Sequence, residues 1–220
     1  MIRTQVLVIT KAPVPGRSKT RLSPPCTPDQ AAGIAAAAVA DTLDTVRAAP
    51  VSGRVVALDG HRGPLDLEGF RVIRQVDGDL GTRLAAAFAA AMADGPVPTL
   101  LIGMDTPQVT PELLIRCGLL LEFAGPATAV LGAAPDGGWW ALGLHSAEPA
   151  AVLANVPMSR DDTAVLTRTA LEATGLTVLE LPELTDIDHF PDALAVAGEC
   201  LPSSRTSRVV ASVATALGLA

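Results

Sequence analysis

The chain of 220 residues lacks tyrosine and has few aromatic residues, and acidic residues outnumber basic ones. Aromatic side chains make up 3% of the sequence, and the formal net charge at pH 7 is −7. Proteins that bind nucleic acids use a basic face, and those that bind single strands add stacking aromatics. The composition therefore argues against a nucleic-acid partner and predicts a core of aliphatic side chains.

Cysteine and long apolar runs are also scarce. Cys26, Cys117 and Cys200 are far apart and no CxxC pair occurs, so neither a zinc site nor a disulfide framework is expected. No uncharged apolar stretch reaches the length of about 18 residues that a membrane span requires. We therefore expect a soluble, cytoplasmic protein without a membrane span, folded as one domain over residues 1–220.

Two standard nucleotide-binding motifs are absent from the sequence. No GxGxxG fingerprint occurs, and the segment GRSKT at residues 16–20 lacks the glycine that precedes lysine in a P-loop. No GxSxG elbow or Cys–His pair indicates nucleophilic catalysis. A phosphorylated ligand would therefore have to be bound by another arrangement of charges.

Strand and helix patterns alternate along much of the chain, which predicts an α/β fold with a mostly parallel central sheet and helices on both faces. The predicted strands cover residues 5–10, 54–59, 70–75, 98–105, 127–134, 138–144 and 177–182. The predicted helices cover residues 28–48, 81–95, 110–123 and 161–174 and two pieces within 190–220. Thr27 and Gln30 are expected to form a capping box at the first helix. Ligands of such sheets bind at the carboxyl ends of the strands.

A basic segment, KAPVPGRSKTRL at residues 11–22, follows the first predicted strand. Its cations are Lys11, Arg17, Lys19 and Arg21, and Gly16 permits a positive φ or a close backbone approach. In an extended segment the last three cations would share one side. Guanidinium and ammonium groups together suit a phosphate chain. We interpret the segment as an anion-binding loop, with a solvated surface loop as the alternative.

Two acidic motifs follow predicted strands. In IGMDTP, Asp105 comes directly after an apolar run, where it can bind Mg²⁺, a cation that uses one or two carboxylates together with substrate phosphates. In DID, Asp186 and Asp188 would share a side of an extended segment, and either can supply a second metal ligand. Turn or helix-cap roles are the alternatives for both motifs.

The motif PDGGWW at residues 135–140 combines a carboxylate, two glycines and both tryptophans of the chain. Gly137 and Gly138 can let the backbone approach a ligand, and Asp136 can hold a hydroxyl group. Strand alternation predicts one tryptophan in the core and one toward the cleft, where it can stack on a sugar. A plain β-turn with core tryptophans is the alternative.

The segment DGDLGTRL at residues 77–84 lies at the start of the second predicted helix. It brings Asp79, Gly81 and Arg83 to a helix N-terminus, which is a natural anion site. A helix cap with solvated charges explains the same residues equally well.

Taken together, KAPVPGRSKTRL, GDLGTRL, IGMDTP, PDGGWW and DIDHFPDAL resemble the DUF2064 family, inferred glycosyltransferases of the GT-A superfamily that are also called arsenosugar-biosynthesis-type transferases. The likeness spans about residues 5–195, and the first motif is also similar to the Lys-Thr-Arg-Leu loop of molybdenum-cofactor and phospholactate guanylyltransferases. The resemblance implies a Rossmann-like GT-A three-layer sandwich of the nucleotide-diphospho-sugar transferase type. It also implies a divalent metal, Mg²⁺ or Mn²⁺, bound by Asp105 and Asp188, and nucleotide phosphates surrounded by the basic loop.

Our first hypothesis is a metal-dependent transferase that moves a sugar from a nucleotide sugar to a small-molecule acceptor. Its expected catalytic residues are Lys19, Asp105 and Asp136, its phosphate-binding residues Lys11, Gly16, Arg17, Lys19, Arg21 and Arg83, and its acceptor-binding residues Gly137, Gly138 and Trp139. The alternative is a nucleotidylyltransferase that couples a nucleoside triphosphate to a phosphorylated small molecule and releases pyrophosphate. A third hypothesis is a nucleotide-binding protein without catalysis. A homodimer is compatible with each of them.

Overall fold

The computed structural model describes residues 1–219, and its centre is a seven-stranded sheet. The strands are Gln5–Lys11 (β1), Gly53–Asp59 (β2), Arg71–Arg74 (β3), Thr99–Ile102 (β4), Thr128–Ala133 (β5), Trp139–Leu144 (β6) and Thr177–Glu180 (β7). Their order across the sheet is β3-β2-β1-β4-β6-β5-β7. All seven predicted strands are therefore confirmed, with small differences at their ends.

Every neighbouring pair in the sheet is parallel except the two pairs that involve β6, which runs antiparallel to β4 and β5. Strands β5 and β6 are separated by residues 134–138 alone, a connection too short to cross over the sheet and start a parallel neighbour. The sheet is thus mostly parallel, as predicted, with one reversed strand that follows from the short PDGG turn.

Six α-helices surround the sheet, and their existence agrees with the sequence patterns. They are Pro28–Ala48 (α1), Leu80–Ala91 (α2), Pro111–Ala124 (α3), Thr163–Glu172 (α4), Phe190–Glu199 (α5) and Arg205–Ala216 (α6). The predicted capping box of α1 is present, with the Gln30 N–H donating to Thr27 Oγ1 at 3.2 Å and the Thr27 N–H donating to Gln30 Oε1 at 2.8 Å. Ala220, the end of the predicted helical tail, lies outside the described residues.

Two boundaries were predicted too far along the chain, and two 3₁₀ helices were not predicted. Helix α2 ends at Ala91 rather than at residue 95, and β4 ends at Ile102, so that Asp105 lies in a loop beyond the sheet. The 3₁₀ helices are Thr20–Leu22 and Glu148–Asn155. The first of them changes the shape of the basic loop, as described below.

The helices cover both faces of the sheet. Helices α1 and α3 pack on one face, while α2, α4 and the 3₁₀ helix Glu148–Asn155 pack on the other. A further cluster of buried side chains joins α5 and α6 to the outer side of α1. The core is mainly aliphatic, with Trp140 and Phe88 as its largest side chains, and the three cysteines are buried with free thiols. None of the helices described is both long and apolar enough to cross a membrane.

Candidate functional site

A cleft of about 810 Å³ opens at the carboxyl ends of the central strands. Its floor is formed by the ends of β1 and β4, and its walls by the basic loop, the start of α2, the PDGGWW turn, residues 158–163 and residues 185–192. The predicted site residues that line it are Lys11, Lys19, Arg21, Arg83, Asp105, Asp136, Gly138, Trp139 and Asp188. The topology thus brings most of the motifs into one cavity.

The basic loop is not extended, contrary to the expectation from its alternating charges. Gly16 has the predicted positive φ of 71°, and Lys19 is also left-handed, with φ 47° and ψ 46°. The loop is closed by Ser18, whose hydroxyl group accepts from the Val14 N–H and donates to the Ala12 carbonyl oxygen, both at 3.0 Å. This compact turn directs Lys19 into the cleft.

Because the loop turns, its cations do not share one side. Lys19 and Arg21 line the cleft, whereas Arg17 is exposed and, like Gly16, does not line it. The phosphate-binding roles expected of Arg17 and Gly16 therefore stay predictions that the geometry of the free protein does not favour.

Two loop cations, Lys19 and Arg21, each contact a carboxylate of a predicted acidic motif. Lys19 Nζ lies 2.7 Å from Asp105 Oδ2, and an Arg21 guanidinium nitrogen lies 2.5 Å from Asp188 Oδ2. Burial lowers the pKa of Lys19, but the hydrogen-bonded Asp105 carboxylate outweighs burial and raises the pKa above its ordinary value. The Asp188 hydrogen bond raises the pKa of Arg21 further. Both cations are therefore charged at neutral pH.

The two acidic loops are themselves bonded to one another. The Ile187 N–H donates to the Asp105 carbonyl oxygen at 2.9 Å, and Gln108 Nε2 donates to the Thr185 carbonyl oxygen at 2.6 Å. Burial, and then the negative charge of Asp105, raise the pKa of Asp186 to about 6. The carboxylates of Asp105, Asp186 and Asp188 thus lie in the same part of the cleft, around Lys19.

These carboxylates are the candidate ligands of the expected metal ion. No group of three or more His, Cys, Asp or Glu side chains within residues 1–219 has the arrangement of a complete metal site. Mg²⁺, however, ordinarily takes only one or two protein carboxylates and completes its shell with water and substrate phosphates. Burial is the main cause of the raised pKa of Asp186, and the negative charge of Asp105 adds to it, so a cation placed here would have negative charge to neutralise. The oxygen donors of Asp105 and Asp188 therefore fit a Mg²⁺ or Mn²⁺ ion that substrate phosphates help to hold.

The PDGGWW turn separates its two tryptophans as strand alternation predicts. Trp140 is buried, and its Nε1 donates to the Pro182 carbonyl oxygen at 2.9 Å. Trp139 lines the cleft, and its Nε1 donates to Thr167 Oγ1 at 3.1 Å. The indole of Trp139 is thus fixed in the wall of the cavity.

The other residues of this turn have roles within the protein. Asp136 lines the cleft while its Oδ1 accepts from the Gly138 N–H at 2.8 Å, an Asx-turn contact. Gly137 has φ 88°, and a Cβ there would lie 1.9 Å from the Asp161 carbonyl oxygen. The close approach that Gly137 permits is therefore made to the protein's own backbone, and Gly137 does not line the cleft.

The DGDLGTRL segment begins α2 with an ordinary cap. Asp79 Oδ1 accepts from the Thr82 N–H at 2.8 Å, and this bond lowers the pKa of Asp79. The helix N-terminus is thus occupied by a carboxylate, which supports the cap alternative over the anion site. Arg83 does reach the cleft, where it lies 3.2 Å from Gln75 Oε1 and 3.6 Å from Asp59 Oδ2. Lys11 Nζ lies 3.9 Å from the same Asp59 oxygen.

One wall of the cleft was not anticipated from the sequence. Residues 158–161, Met-Ser-Arg-Asp, also line the cavity. Across the described chain, Ser159 with φ 59° and Lys19 are the two non-glycine residues with positive φ, and both lie in the cleft. Strained backbone of this kind is frequent at functional sites. The charged run before α4 was the available signal, but its pattern indicated only a helix start.

The fold is shared with solved structures of low sequence identity. A protein from Desulfovibrio desulfuricans G20 named "putative nucleotide-diphospho-sugar transferase" has a TM-score of 0.83 and 24% identity, over 99% of this chain and 97% of its own. Rv0371c of Mycobacterium tuberculosis H37Rv, in a complex with manganese, has a TM-score of 0.53 and 23% identity, over 89% and 97%. The 2-C-methyl-D-erythritol 4-phosphate cytidylyltransferase of Thermus thermophilus has a TM-score of 0.55 and 21% identity, over 89% and 98%.

At these identities the likeness establishes the three-layer α/β fold, and no curated protein matches the chain. A family model does match it. Residues 42–160, more than half of the chain, fit the family described as "Uncharacterized protein conserved in bacteria (DUF2064)". This segment contains Asp105 and the PDGGWW turn and ends at Arg160 in the unanticipated wall. The chain therefore belongs to the DUF2064 family, as the resemblance of its motifs implied.

Proposed function

We propose that this protein is a metal-dependent transferase that takes a nucleotide-diphospho-sugar as donor and transfers the sugar to a small-molecule acceptor. The observation that carries the proposal is the pairing of Lys19 with Asp105 and of Arg21 with Asp188 inside one cleft. Cations that can bind phosphate thus lie directly beside carboxylates that can bind a divalent metal. The shared fold with a protein named as a nucleotide-diphospho-sugar transferase supports the same donor class.

The cleft also has a suitable size and charge for such a donor. Its volume of about 810 Å³ falls within the range of about 300–1,000 Å³ of small-molecule sites. Lys19 and Arg21 would bind the diphosphate and stabilise the negative charge that grows on the leaving nucleoside diphosphate. Lys11 and Arg83 lie further along the same cavity and extend its positive charge.

Asp105 and Asp188 would hold a Mg²⁺ or Mn²⁺ ion. When bound, such an ion supplies charge neutralisation at the diphosphate and so makes it a better leaving group. The solved complex of Rv0371c with manganese supports a divalent metal in a protein of this fold.

The PDGGWW turn would receive the acceptor. The fixed indole of Trp139 offers an apolar face on which a sugar ring can stack, and Asp136 can orient an acceptor hydroxyl group with the carboxylate oxygen that the Asx turn leaves free. Gly137 is left out of this set because it packs against Asp161.

Nucleotidylyl transfer is the second candidate, and Arg160 favours it. This residue lines the cleft and is paired with Asp162 at 2.9 Å, and it would supply a further cation for a phosphorylated acceptor. The cytidylyltransferase of Thermus thermophilus, which has the same fold, supports it as well. Arg17 counts against it, because its exposure leaves only Lys19 and Arg21 in the cleft out of the three cations, Arg17, Lys19 and Arg21, that together would suit a triphosphate.

A ligand screen followed by product analysis tests the proposal. Nucleotide sugars and nucleoside triphosphates are compared for thermal stabilisation with and without Mn²⁺, since a ligand of the folded state raises the melting temperature. We expect the largest metal-dependent shift with a nucleotide sugar, release of a nucleoside diphosphate on turnover, and loss of both in Asp105→Asn. Pyrophosphate release from a triphosphate would favour the second candidate. Binding without turnover of either class would indicate a nucleotide-binding protein without catalysis.

A further inference from the structure

Lys19 is held unusually firmly for a lysine in an open cleft. Its side chain is 11% exposed, and its Nζ lies 2.7 Å from Asp105 Oδ2. Its backbone is left-handed, a conformation that is uncommon for a residue with a Cβ atom. Asp186 and Asp188 line the same cleft, and their negative charges also raise the pKa of Lys19. Lys19 and Arg21 are therefore the positive charges beside these three carboxylates, and Lys19 is the one bonded to Asp105.

The other oxygen of Asp105 is also confined. A Cβ at Gly103 would lie 2.6 Å from Asp105 Oδ1, so the carboxylate lies over the space that the missing side chain leaves. An ammonium group and a divalent cation on one such carboxylate would repel each other strongly, because like charges a few ångströms apart in a partly buried site are poorly screened. Asp105 can thus bind either the ammonium group of Lys19 or a metal ion tightly, but not both at once.

We infer that Lys19 acts as the counter-ion of Asp105 in the free protein and releases it when a phosphate group arrives, so that divalent metal and phosphorylated ligand bind together. The inference rests on the proposed function in one respect, the assignment of Asp105 as a metal ligand. A polyphosphate offers the ammonium group a second anionic partner, and the freed carboxylate then turns to the metal. Metal alone has to compete with Lys19 and binds weakly.

Titration of the full chain with Mn²⁺ alone, followed by calorimetry, tests the competition. Lys19→Met removes the charge at similar side-chain length, and we expect it to bind Mn²⁺ at least about tenfold more tightly than the parent protein. Lys19→Arg keeps a cation and should bind as weakly as the parent. Lys11→Met is the matched control, because it makes the same change of net charge at a lysine paired with Asp59 instead. Unchanged or weaker Mn²⁺ binding by Lys19→Met would overturn the inference.

Chemical labelling provides a test that needs no variant. The chain contains two lysines, so acylation of Lys19 can be measured by mass spectrometry against Lys11 as an internal standard. Saturating Mn²⁺ should raise the acylation rate of Lys19 relative to Lys11, since the metal displaces the ammonium group from Asp105. A constant ratio with Mn²⁺ bound would show that the two cations do not compete.

The outcomes separate this inference from the proposed function. Absence of Mn²⁺ binding in the parent and in every variant would overturn the inference together with the metal assignment of Asp105. Tighter Mn²⁺ binding by Lys19→Met, without transfer from any nucleotide sugar or triphosphate, would support the inference and count against the transferase.

Discussion

The backbone N–H of Ile187 donates to the carbonyl oxygen of Asp105 at 2.9 Å, and this bond joins the two loops that carry the acidic motifs. Asp105 and Asp188 are 83 positions apart in sequence, yet they belong to one short stretch of bonded backbone. The distance between their carboxylates therefore depends on this main-chain hydrogen bond as well as on the conformations of the two side chains. Residues that strengthen this junction should influence whatever binds there.

Gln108 is such a residue, and Gln108→Leu tests its role. Its Nε2 bonds the Thr185 carbonyl oxygen at 2.6 Å, while its Oε1 is buried without a partner. The variant loses one hydrogen bond and one unsatisfied oxygen, so we expect the free energy of unfolding to change by less than about 1 kcal/mol. Because the acidic loops are less firmly joined, stabilisation by Mn²⁺ with nucleotide should fall. Full ligand stabilisation in this variant would contradict the coupling.

A second prediction concerns the two arginines of the basic loop, Arg17 and Arg21. Arg21→Ala should weaken binding of the best nucleotide ligand by about tenfold or more, because a charge-assisted hydrogen bond contributes about 1.5–3 kcal/mol. Arg17→Ala should change binding less than about twofold, since Arg17 is exposed and outside the cleft lining. Calorimetric titration of the two variants measures both effects. An equal loss in both would mean that the loop rearranges to bring Arg17 to the ligand.

Local signals in the sequence were sufficient for elements whose ends depend on neighbouring residues. Thr27 and Gln30 cap α1 by contacts within a single turn, so their spacing predicts the helix start correctly. The alternation of Trp139 and Trp140 follows from the two-residue period of a strand in the same way. The buried strand before Asp105 was also recognisable from the local pattern, although its end was predicted at residue 105 and lies at Ile102.

The remaining features depend on contacts that a linear pattern does not contain. The basic loop turns because Ser18 bonds back to Ala12 and Val14, and this turn leaves Arg17 outside the cleft. Residues 158–161 reach the cleft because they pack against the PDGGWW turn, where Gly137 touches Asp161. The loop depends on side-chain hydrogen bonds four and six residues apart that charge alternation does not reveal, and the wall of residues 158–161 depends on tertiary packing, so both were missed.

Gly81→Ala tests a close contact that stabilises the start of α2. A Cβ at Gly81 would lie 2.1 Å from the Leu153 carbonyl oxygen, so the substitution must push α2 away from the 3₁₀ helix Glu148–Asn155. We expect it to lower the free energy of unfolding by about 1–3 kcal/mol. Gly33→Ala in α1 is the matched control, because a Cβ at Gly33 would meet no atom within 4 Å. This control should gain about 0.5–1 kcal/mol from helix propensity, as measured by urea unfolding.

The carboxylate of Asp41 attaches the start of α6 to α1, and its removal is the next prediction. The buried carboxylate accepts from the N–H of Arg205 at 3.1 Å and from the N–H and hydroxyl of Thr206 at 2.7 and 2.8 Å. Asp41→Ala should lower the free energy of unfolding by about 2–3 kcal/mol, because it leaves helix-end donors without partners. Asp44→Ala, which removes an exposed partner of Arg205, should lower it by less than about 1 kcal/mol. Similar losses in the two variants would contradict this assignment.

Stability in alkaline solution should depend on the buried thiols. Burial raises the pKa of Cys117 and of Cys200 to about 11, so the unfolded chain loses these protons at lower pH than the folded protein does. Because the thiol pKa is higher in the folded protein, its contribution to the free energy of unfolding is complete below the thiol pKa of the unfolded chain. This contribution decreases as the pH rises from there toward the thiol pKa of the folded protein. We expect a loss of about 2 kcal/mol for each thiol by pH 10.

The composition makes this measurement unusually clear, since the chain has no tyrosine and two lysines, and few other groups titrate between pH 8 and pH 10. Urea unfolding of the reduced protein across this interval should give a falling free energy of unfolding. Cys117→Ala lowers the stability at every pH by leaving a cavity, but it should also flatten the decline, because one of the ionising thiols is gone. An equally steep decline in the variant would show that Cys117 does not keep its proton in the folded protein.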